Sequence, residues 1–305
     1  MMCLLKAKRA LESIVIATAI SLASPANAGV TPPDQSVEWE ENNKTEARVM
    51  VLAANLAIGC LKSGIGAFMH DQGFSEGCGK GTLAGIVAYA GELTATYSKK
   101  RFAGASGKLV YDLGISMQDN VMRGESMLSQ YQTDLGPVTL TFKQSPLPKI
   151  SFTLTPAVGI AVNLLQKNKF DAKQSIYNLT PVFKIKNQIV ESETSTSKGA
   201  SQVMWMGYTI GNVVAYSDYN GLYSDYDLKW LSLSHETNHA LFFSKMRFCG
   251  DILSQTETLE KLHKWWNLGQ DIGYYTIGVK LLSDDEYYLP NELEAYSMQR
   301  YGQWR

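Results

Sequence analysis

The sequence predicts an α+β protein, and three patterns along the chain support that class. Residues 45–131 are rich in Gly and Ala at helical spacing, and apolar and polar side chains alternate from residue 138 onward. A second apolar run at helical spacing surrounds His235 and His239. Helical patterns repeat about every 3.6 residues and strand patterns every two. We therefore expect a helical N-terminal region, an antiparallel β-sheet and a C-terminal part built around one buried helix.

Residues 1–28 have the three parts of a secretory signal peptide. A basic start precedes an apolar run from Ile14 to Ala23, and the small residues Ala26 and Ala28 mark a cleavage site. The apolar run is shorter than the ~20 residues that a transmembrane helix needs. We expect export to the periplasm or the extracellular space, where the protein can associate with the cell envelope.

The next two segments differ in composition. Residues 29–44 are polar, contain two prolines and predict a flexible lead-in. In the helical region, residues 45–131, charged residues such as Lys62 and Glu92 interrupt the apolar stretches before they reach spanning length. Its small residues allow helices to pack closely. We interpret this region as a soluble helical layer that contacts a membrane at most peripherally.

Strand patterns begin in the second half of the chain. Apolar and polar residues alternate from Val138 to Phe142 and again from Ile150 to Leu154. We expect two antiparallel strands joined by a short connection, and a further strand after Pro181. Residues 132–305 are accordingly assigned to the sheet and to the part of the chain that carries the two histidines.

The candidate chemistry lies in the pentapeptide His235-Glu236-Thr237-Asn238-His239. Two residues four apart lie on one side of an α-helix, about one turn apart. Imidazoles bind Zn²⁺ readily, and a Glu beside the first His can remove a proton from a metal-bound water. Apolar residues flank the pentapeptide, so we expect a largely buried helix. Two His and one Glu are costly to bury unless they are hydrogen-bonded or bind metal, which favours a zinc site.

A third zinc ligand is expected later in the chain, because zinc in hydrolases usually has three protein ligands and one water. Pro290 precedes a predicted helix that carries two carboxylates, Glu292 and Glu294. This helix can cross the histidine helix. Either carboxylate could then complete the site.

These motifs resemble the gluzincin group of metallopeptidases, in which an HExxH helix is completed by a Glu on a later helix, often as N-E-x-x-A-D. Asn291, Glu292 and Ala295 match that pattern, while Tyr296 stands where the group often has an Asp. Residues 207–216 are also similar to a G-x-T-x-G-N stretch that precedes HExxH in uncharacterised bacterial sequences of metallopeptidase type.

The resemblance implies a zincin-like C-terminal part and a zinc-dependent peptidase. By the gluzincin register, His235, His239 and Glu292 bind Zn²⁺, and Glu294 is the alternative third ligand. Glu236 is the general base. The implied partner is a peptide or protein substrate.

Residues 207–216 leave two interpretations open. Peptide substrates often bind by adding a strand to an exposed sheet edge, which would make this segment an active-site edge strand. Residues 213–216, however, have no clean polar face, as a buried structural strand would.

The cysteines favour one disulfide. Cys60, Cys78 and Cys249 follow the signal peptide, and an odd number in an oxidising compartment leaves one unpaired. Cys60 and Cys78 are near in sequence and each adjoins a Gly, so we expect them to pair across a short loop. Cys249 is then free and buried.

Composition excludes one class of partner and leaves other functions open. The net charge of −1 argues against nucleic-acid binding. One alternative is a non-catalytic envelope scaffold or peripheral membrane protein with a structural or vestigial zinc. Another is a metal-free envelope protein whose histidines are hydrogen-bonded in the core. The oligomeric state is not predicted.

Overall fold

The computed structural model describes residues 42–97, 102–143, 147–185, 207–216, 233–234 and 236–241. Helices combine with one antiparallel and one mixed sheet, which confirms the α+β class. In chain order the elements are α1 (Asn42–Met69), α2 (Phe74–Tyr97), α3 (Ala103–Met122), β1 (Tyr131–Leu135), β2 (Val138–Phe142), β3 (Lys149–Phe152), α4 (Leu154–Leu165), β4 (Lys169–Phe170), α5 (Ala172–Asn178), β5 (Val182–Lys184), β6 (Gly207–Ile210) and β7 (Val213–Tyr216). Residues 233–234 and 236–241 are also helical, and we call them the HETNH helix.

Helices α1, α2 and α3 form the helical layer. Helix α1 begins at Asn42, inside the segment 29–44 that the sequence predicts to be a flexible lead-in. A Cβ added to Gly81 of α2 would collide with the backbone oxygen of Gly59 of α1, and the reverse holds for Gly59. Backbone therefore meets backbone at this crossing, as the small residues of the region predict.

A disulfide joins the first two helices of this layer. Cys60 of α1 is bonded to Cys78 of α2, which confirms the predicted pair. The two cysteines lie on adjacent helices connected by residues 70–73, so the bond closes a helical hairpin where the sequence suggested a short loop. The predicted free Cys249 lies outside the described residues.

The helical layer also contains buried ion pairs. Lys62 of α1 pairs with Asp119 of α3. In α3, Lys108 Nζ donates to Asp112 Oδ2 at 2.6 Å, and the Thr133 hydroxyl of β1 donates to the same oxygen at 2.6 Å. Burial raises the pKa of the Asp112 carboxyl, while the neighbouring Lys108 and Thr133 act in the opposite direction.

One described segment, Val51–Met69 of α1, is long and apolar enough to cross a membrane. Half of the residues in its most apolar 18-residue stretch are buried inside the fold. The segment also includes Lys62 with its buried ion pair. Length and composition of a single helix of this kind are weak evidence for a membrane span.

The first sheet has the order β1-β2-β3 and is antiparallel throughout. The two strands predicted from alternation are therefore confirmed as β2 and β3. The second of them ends at Phe152, whereas the alternation continues to Leu154. Leu154 instead begins α4, because Pro156 favours the first turn of a helix.

The second sheet has the order β4-β5-β7-β6, and its β5 and β7 run parallel. The antiparallel sheet expected from the sequence is present as β1–β3, whereas this second sheet is mixed, and the strand expected after Pro181 is present as β5. Strand β7 lies between β5 and β6 and is buried on both faces, which explains its lack of a polar face. The buried-strand interpretation is therefore correct for residues 213–216, and β4 and β6 are the two edge strands of this sheet among the described residues.

The two faces of the mixed sheet are covered by different helices. On one face, Ile160 of α4 packs against Phe183, Val213 and Ala215. On the other face, residues of the HETNH helix pack against Val182, Val214 and Tyr216. The mixed sheet therefore separates α4 from the HETNH helix.

The close crossing of α1 and α2 predicts a contrast between two glycines of α2. Gly81→Ala should lower the free energy of unfolding by about 1–3 kcal/mol, because the added methyl group forces the helices apart. Gly79→Ala, where no atom lies within 4 Å of an added Cβ, should be neutral or stabilising by up to about 1 kcal/mol. Urea denaturation measures both, and equal midpoints would contradict the crossing.

Candidate functional site

The HETNH helix lies between the helical layer and the mixed sheet. Leu233 and Ala240 belong to the apolar cluster on the sheet side. Leu241 packs on the other side against Ala88, Ala95 and Tyr111. The largely buried helix expected around the pentapeptide is therefore confirmed for the described residues.

Helix α2 holds the HETNH helix through two side-chain hydrogen bonds. Ser234 Oγ donates to the backbone oxygen of Thr96 at 2.5 Å, and Asn238 Nδ2 donates to Glu92 Oε1 at 3.1 Å. Glu92 is 1% exposed, and its second oxygen accepts a hydrogen bond of 3.1 Å from Asn55 of α1. Glu92 therefore ties two helices of the layer to the helix that carries the candidate site.

Further hydrogen bonds reach the HETNH helix from α3 and α5. The Tyr111 hydroxyl donates to the backbone oxygen of Leu241 at 2.6 Å. Asn178 Nδ2 donates to the Thr237 hydroxyl at 3.3 Å. Buried polar groups without partners are costly, and these contacts satisfy several of them while fixing the position of the helix.

Glu236 lies where the HETNH helix meets β6. Its side chain is 5% exposed, and the Thr209 hydroxyl lies 2.8 Å from Oε2 and 3.0 Å from the backbone oxygen of Glu236. A hydroxyl has one proton and donates to one of these oxygens at a time. An ionised carboxylate is the stronger acceptor of the two. Thr209 therefore anchors the Glu236 side chain to β6, one of the two edge strands of the mixed sheet.

The contact between Thr209 and Glu236 removes one of the reasons for expecting a metal at this helix. Burial of a Glu on an apolar helix favours a metal site when no other partner is present, but Thr209 supplies a hydrogen-bond donor to Glu236 without a metal. The case for zinc therefore depends on the two histidines and the later carboxylate. His239 is partly buried and lies three positions after Glu236, on the same side of the helix.

The structure brings together two of the predicted site residues, Glu236 and His239. His235, Glu292 and Glu294 lie outside the described residues. Within the described residues, no group of three His, Cys, Asp or Glu side chains could hold a metal ion. Of the predicted zinc ligands, His239 is the one that lies within the described residues, so the ligand set stays a prediction.

A two-residue turn positions Thr209. Gly211 has a φ of +64°, a conformation that favours glycine, and joins β6 to β7 together with Asn212. Asn212 Nδ2 donates to the backbone oxygen of Gly136 at 3.1 Å, and the Thr180 hydroxyl donates to the backbone oxygen of Asn212. The Gly and Asn of the G-x-T-x-G-N stretch thus form an anchored turn, and its Thr contacts Glu236.

Two supporting residues were missed by sequence reasoning. Thr209 lies within the G-x-T-x-G-N stretch, but nothing local pairs it with Glu236. Glu92 has a stronger signal, since a carboxylate within a Gly/Ala-rich apolar helix must find polar partners when that helix packs closely. From the sequence alone, Glu92 indicated only that a charge interrupts the apolar stretch of this helix, which argues against a membrane span.

Comparisons with known proteins add no further assignment. No protein-family model matches this chain, and no curated protein or solved structure matches it either. Functional interpretation therefore rests on the motifs of the sequence and on the contacts of the HETNH helix.

The contact between Thr209 and Glu236 predicts a specific loss of stability. Thr209→Val removes the hydroxyl but keeps the side-chain shape, so the free energy of unfolding should fall by about 1–3 kcal/mol. Thr209→Ser keeps the donor and should lose less. Urea denaturation of both variants tests this, and a Val variant as stable as the Ser variant would show that the hydroxyl does not support the buried carboxylate.

Proposed function

We propose that this chain is an exported zinc-dependent peptidase that hydrolyses peptide bonds. The observation that carries the proposal is the contact between Glu236 and β6 at 2.8 Å. A carboxylate that can act as a base thereby lies beside the edge strand of a sheet, to which an extended peptide can add by main-chain hydrogen bonds. Substrate and base would then meet at the same edge.

The residues proposed to hold the metal suit zinc. His235, His239 and Glu292 offer two imidazoles and one carboxylate, which is a donor set of hydrolytic zinc sites, and Glu294 is the alternative carboxylate. His239 supports this assignment because it is partly exposed, whereas the other described residues of the HETNH helix are buried. When bound, Zn²⁺ supplies a water of lowered pKa and polarises the substrate carbonyl.

The chain's own residues perform the proton transfers. Glu236 takes a proton from the attacking water and gives it to the leaving amine of the peptide. Thr209 holds one carboxylate oxygen and restricts its rotation, which keeps the base oriented. Glu92 and Asn238 hold the helix itself, so that Glu236 and His239 keep their positions relative to the sheet.

The disulfide supports the export part of the proposal. Disulfides persist in the periplasm and outside the cell and are rare in reducing compartments. The bond between Cys60 and Cys78 agrees with a chain whose first 28 residues have the features of a signal peptide. Substrates are accordingly proteins or peptides that occur outside the cytoplasm.

A second candidate is a non-catalytic envelope protein in which a zinc, if bound, is structural. The observation in its favour is the burial of Glu236, whose hydrogen bond with Thr209 gives it a structural role. In that protein Glu236 stabilises the helix and transfers no proton. The two candidates therefore differ in what Glu236 does.

Glu236→Gln separates the two candidates. The amide keeps the size of the side chain but cannot accept a proton, so hydrolysis of a labelled unfolded protein by the mature chain should fall by about 10²–10⁴-fold. Zinc content, measured by elemental analysis of the purified variant, should equal that of the wild-type protein. Glu76→Gln is the matched control, because Glu76 is an exposed carboxylate paired with Lys80 on α2.

Two results would contradict the proposal. Full activity in the Glu236→Gln variant would remove Glu236 as the base. Wild-type protein that binds no zinc and hydrolyses no peptide would reject the peptidase itself, and zinc binding without hydrolysis would favour the structural site.

A further inference from the structure

Helix α4 is apolar on the side that faces away from the fold. The helix contains no charged residue, and its buried residues are the small or polar Thr155, Pro156, Gly159 and Asn163. Four of its larger apolar side chains are exposed instead, namely Leu154, Val158, Leu164 and Leu165, while Ile160 packs against the mixed sheet. An outermost helix of a water-soluble protein normally directs polar residues outward.

The exposed side chains of α4 form a continuous stripe. Leu154, Val158 and Leu165 are spaced by four and seven positions, which places them on one side of the helix, and Leu165 is 82% exposed. The preceding strand β3 adds Ile150 and Phe152, two positions apart on one face, with Phe152 80% exposed. We call the exposed apolar residues of β3 and α4 the α4 surface.

Lysines flank the α4 surface at both ends. Lys149 precedes it, and Lys167, Lys169 and Lys173 follow it, all four exposed. Asp171 is the one acidic residue between 149 and 173, and it caps α5 and accepts a hydrogen bond of 2.8 Å from the Tyr216 hydroxyl. A protein of net charge −1 therefore concentrates positive charge around its exposed apolar helix.

We propose that the α4 surface docks on an anionic lipid bilayer. The apolar stripe enters the boundary between headgroups and acyl chains, and the flanking lysines contact the negative headgroups. The lysines argue against a second copy of this chain as the occupant, since a twofold contact through α4 would bring like charges together.

This surface differs from the peripheral membrane contact predicted for the helical layer. Helices α4 and HETNH cover opposite faces of the mixed sheet. Docking through α4 therefore leaves the HETNH helix on the far side of the sheet from the bilayer. The inference does not depend on the proposed peptidase activity.

Vesicle sedimentation tests the proposal with the full mature chain. Wild-type protein should bind phosphatidylcholine vesicles that contain phosphatidylglycerol, and binding should weaken as salt is added. Phe152→Gln/Leu165→Gln should reduce binding at least about tenfold, since it removes two large apolar groups from the surface. Lys167→Gln and Lys169→Gln should each reduce it roughly fivefold. Leu128→Gln is the matched control, because Leu128 is 71% exposed but precedes β1, outside this surface.

Three results would overturn the proposal. If residues 242–305 of the same chain cover the α4 surface, wild-type protein will not bind vesicles and Phe152→Gln/Leu165→Gln will lower the melting temperature. If a second copy covers it, wild-type protein will sediment as a dimer that this double variant dissociates. Equal loss of binding in the Leu128→Gln control would show that the effect is not specific to α4.

Discussion

Burial of the HETNH helix between the helical layer and the mixed sheet is the constraint on which the rest of the structure depends. A helix buried on two sides must satisfy each of its polar side chains inside the protein. Here the partners come from distant parts of the chain: Glu92 of α2, Asn178 of α5 and Thr209 of β6. The same contacts that lower the cost of burial also connect the two layers, although Asn238 Oδ1 is buried without a hydrogen-bond partner among the described residues.

This arrangement gives the candidate site its rigidity. The position of Glu236 is set from the sheet by Thr209, while the helix that carries it is set from the helical layer by Glu92. The helical layer thus supports the site directly and is more than a separate scaffold. Catalytic groups act best when such contacts hold them close to the reacting geometry, and the proposed peptidase uses these contacts in that way.

Local patterns predicted the elements whose structure depends on local chemistry. The helical layer, the antiparallel pair β2 and β3, and the disulfide between Cys60 and Cys78 follow from periodicity, alternation and cysteine spacing. The parallel pairing of β5 and β7 did not follow, because pairing between strands remote in sequence leaves no local signal. Leu154 shows the limit of alternation, since it begins a helix whose first turn contains Pro156 instead of continuing β3.

The candidate site shows the same division. Helical spacing correctly predicted a buried helix at Glu236 and His239, but the partners of that helix depend on tertiary packing, so Thr209 and Glu92 could not be assigned in advance. His235, Glu292 and Glu294 lie outside the described residues and stay predictions, as does the zinc they are expected to bind.

Anomalous X-ray diffraction at the zinc absorption edge, from crystals of the mature protein grown with zinc, tests the central claim most directly. We expect a single strong peak about 2.0–2.1 Å from one nitrogen each of His235 and His239 and about 2.0–2.2 Å from a carboxylate oxygen of Glu292. A peak remote from the HETNH helix, or crystals with no zinc bound to His239, would contradict the proposal that this helix carries a hydrolytic metal site.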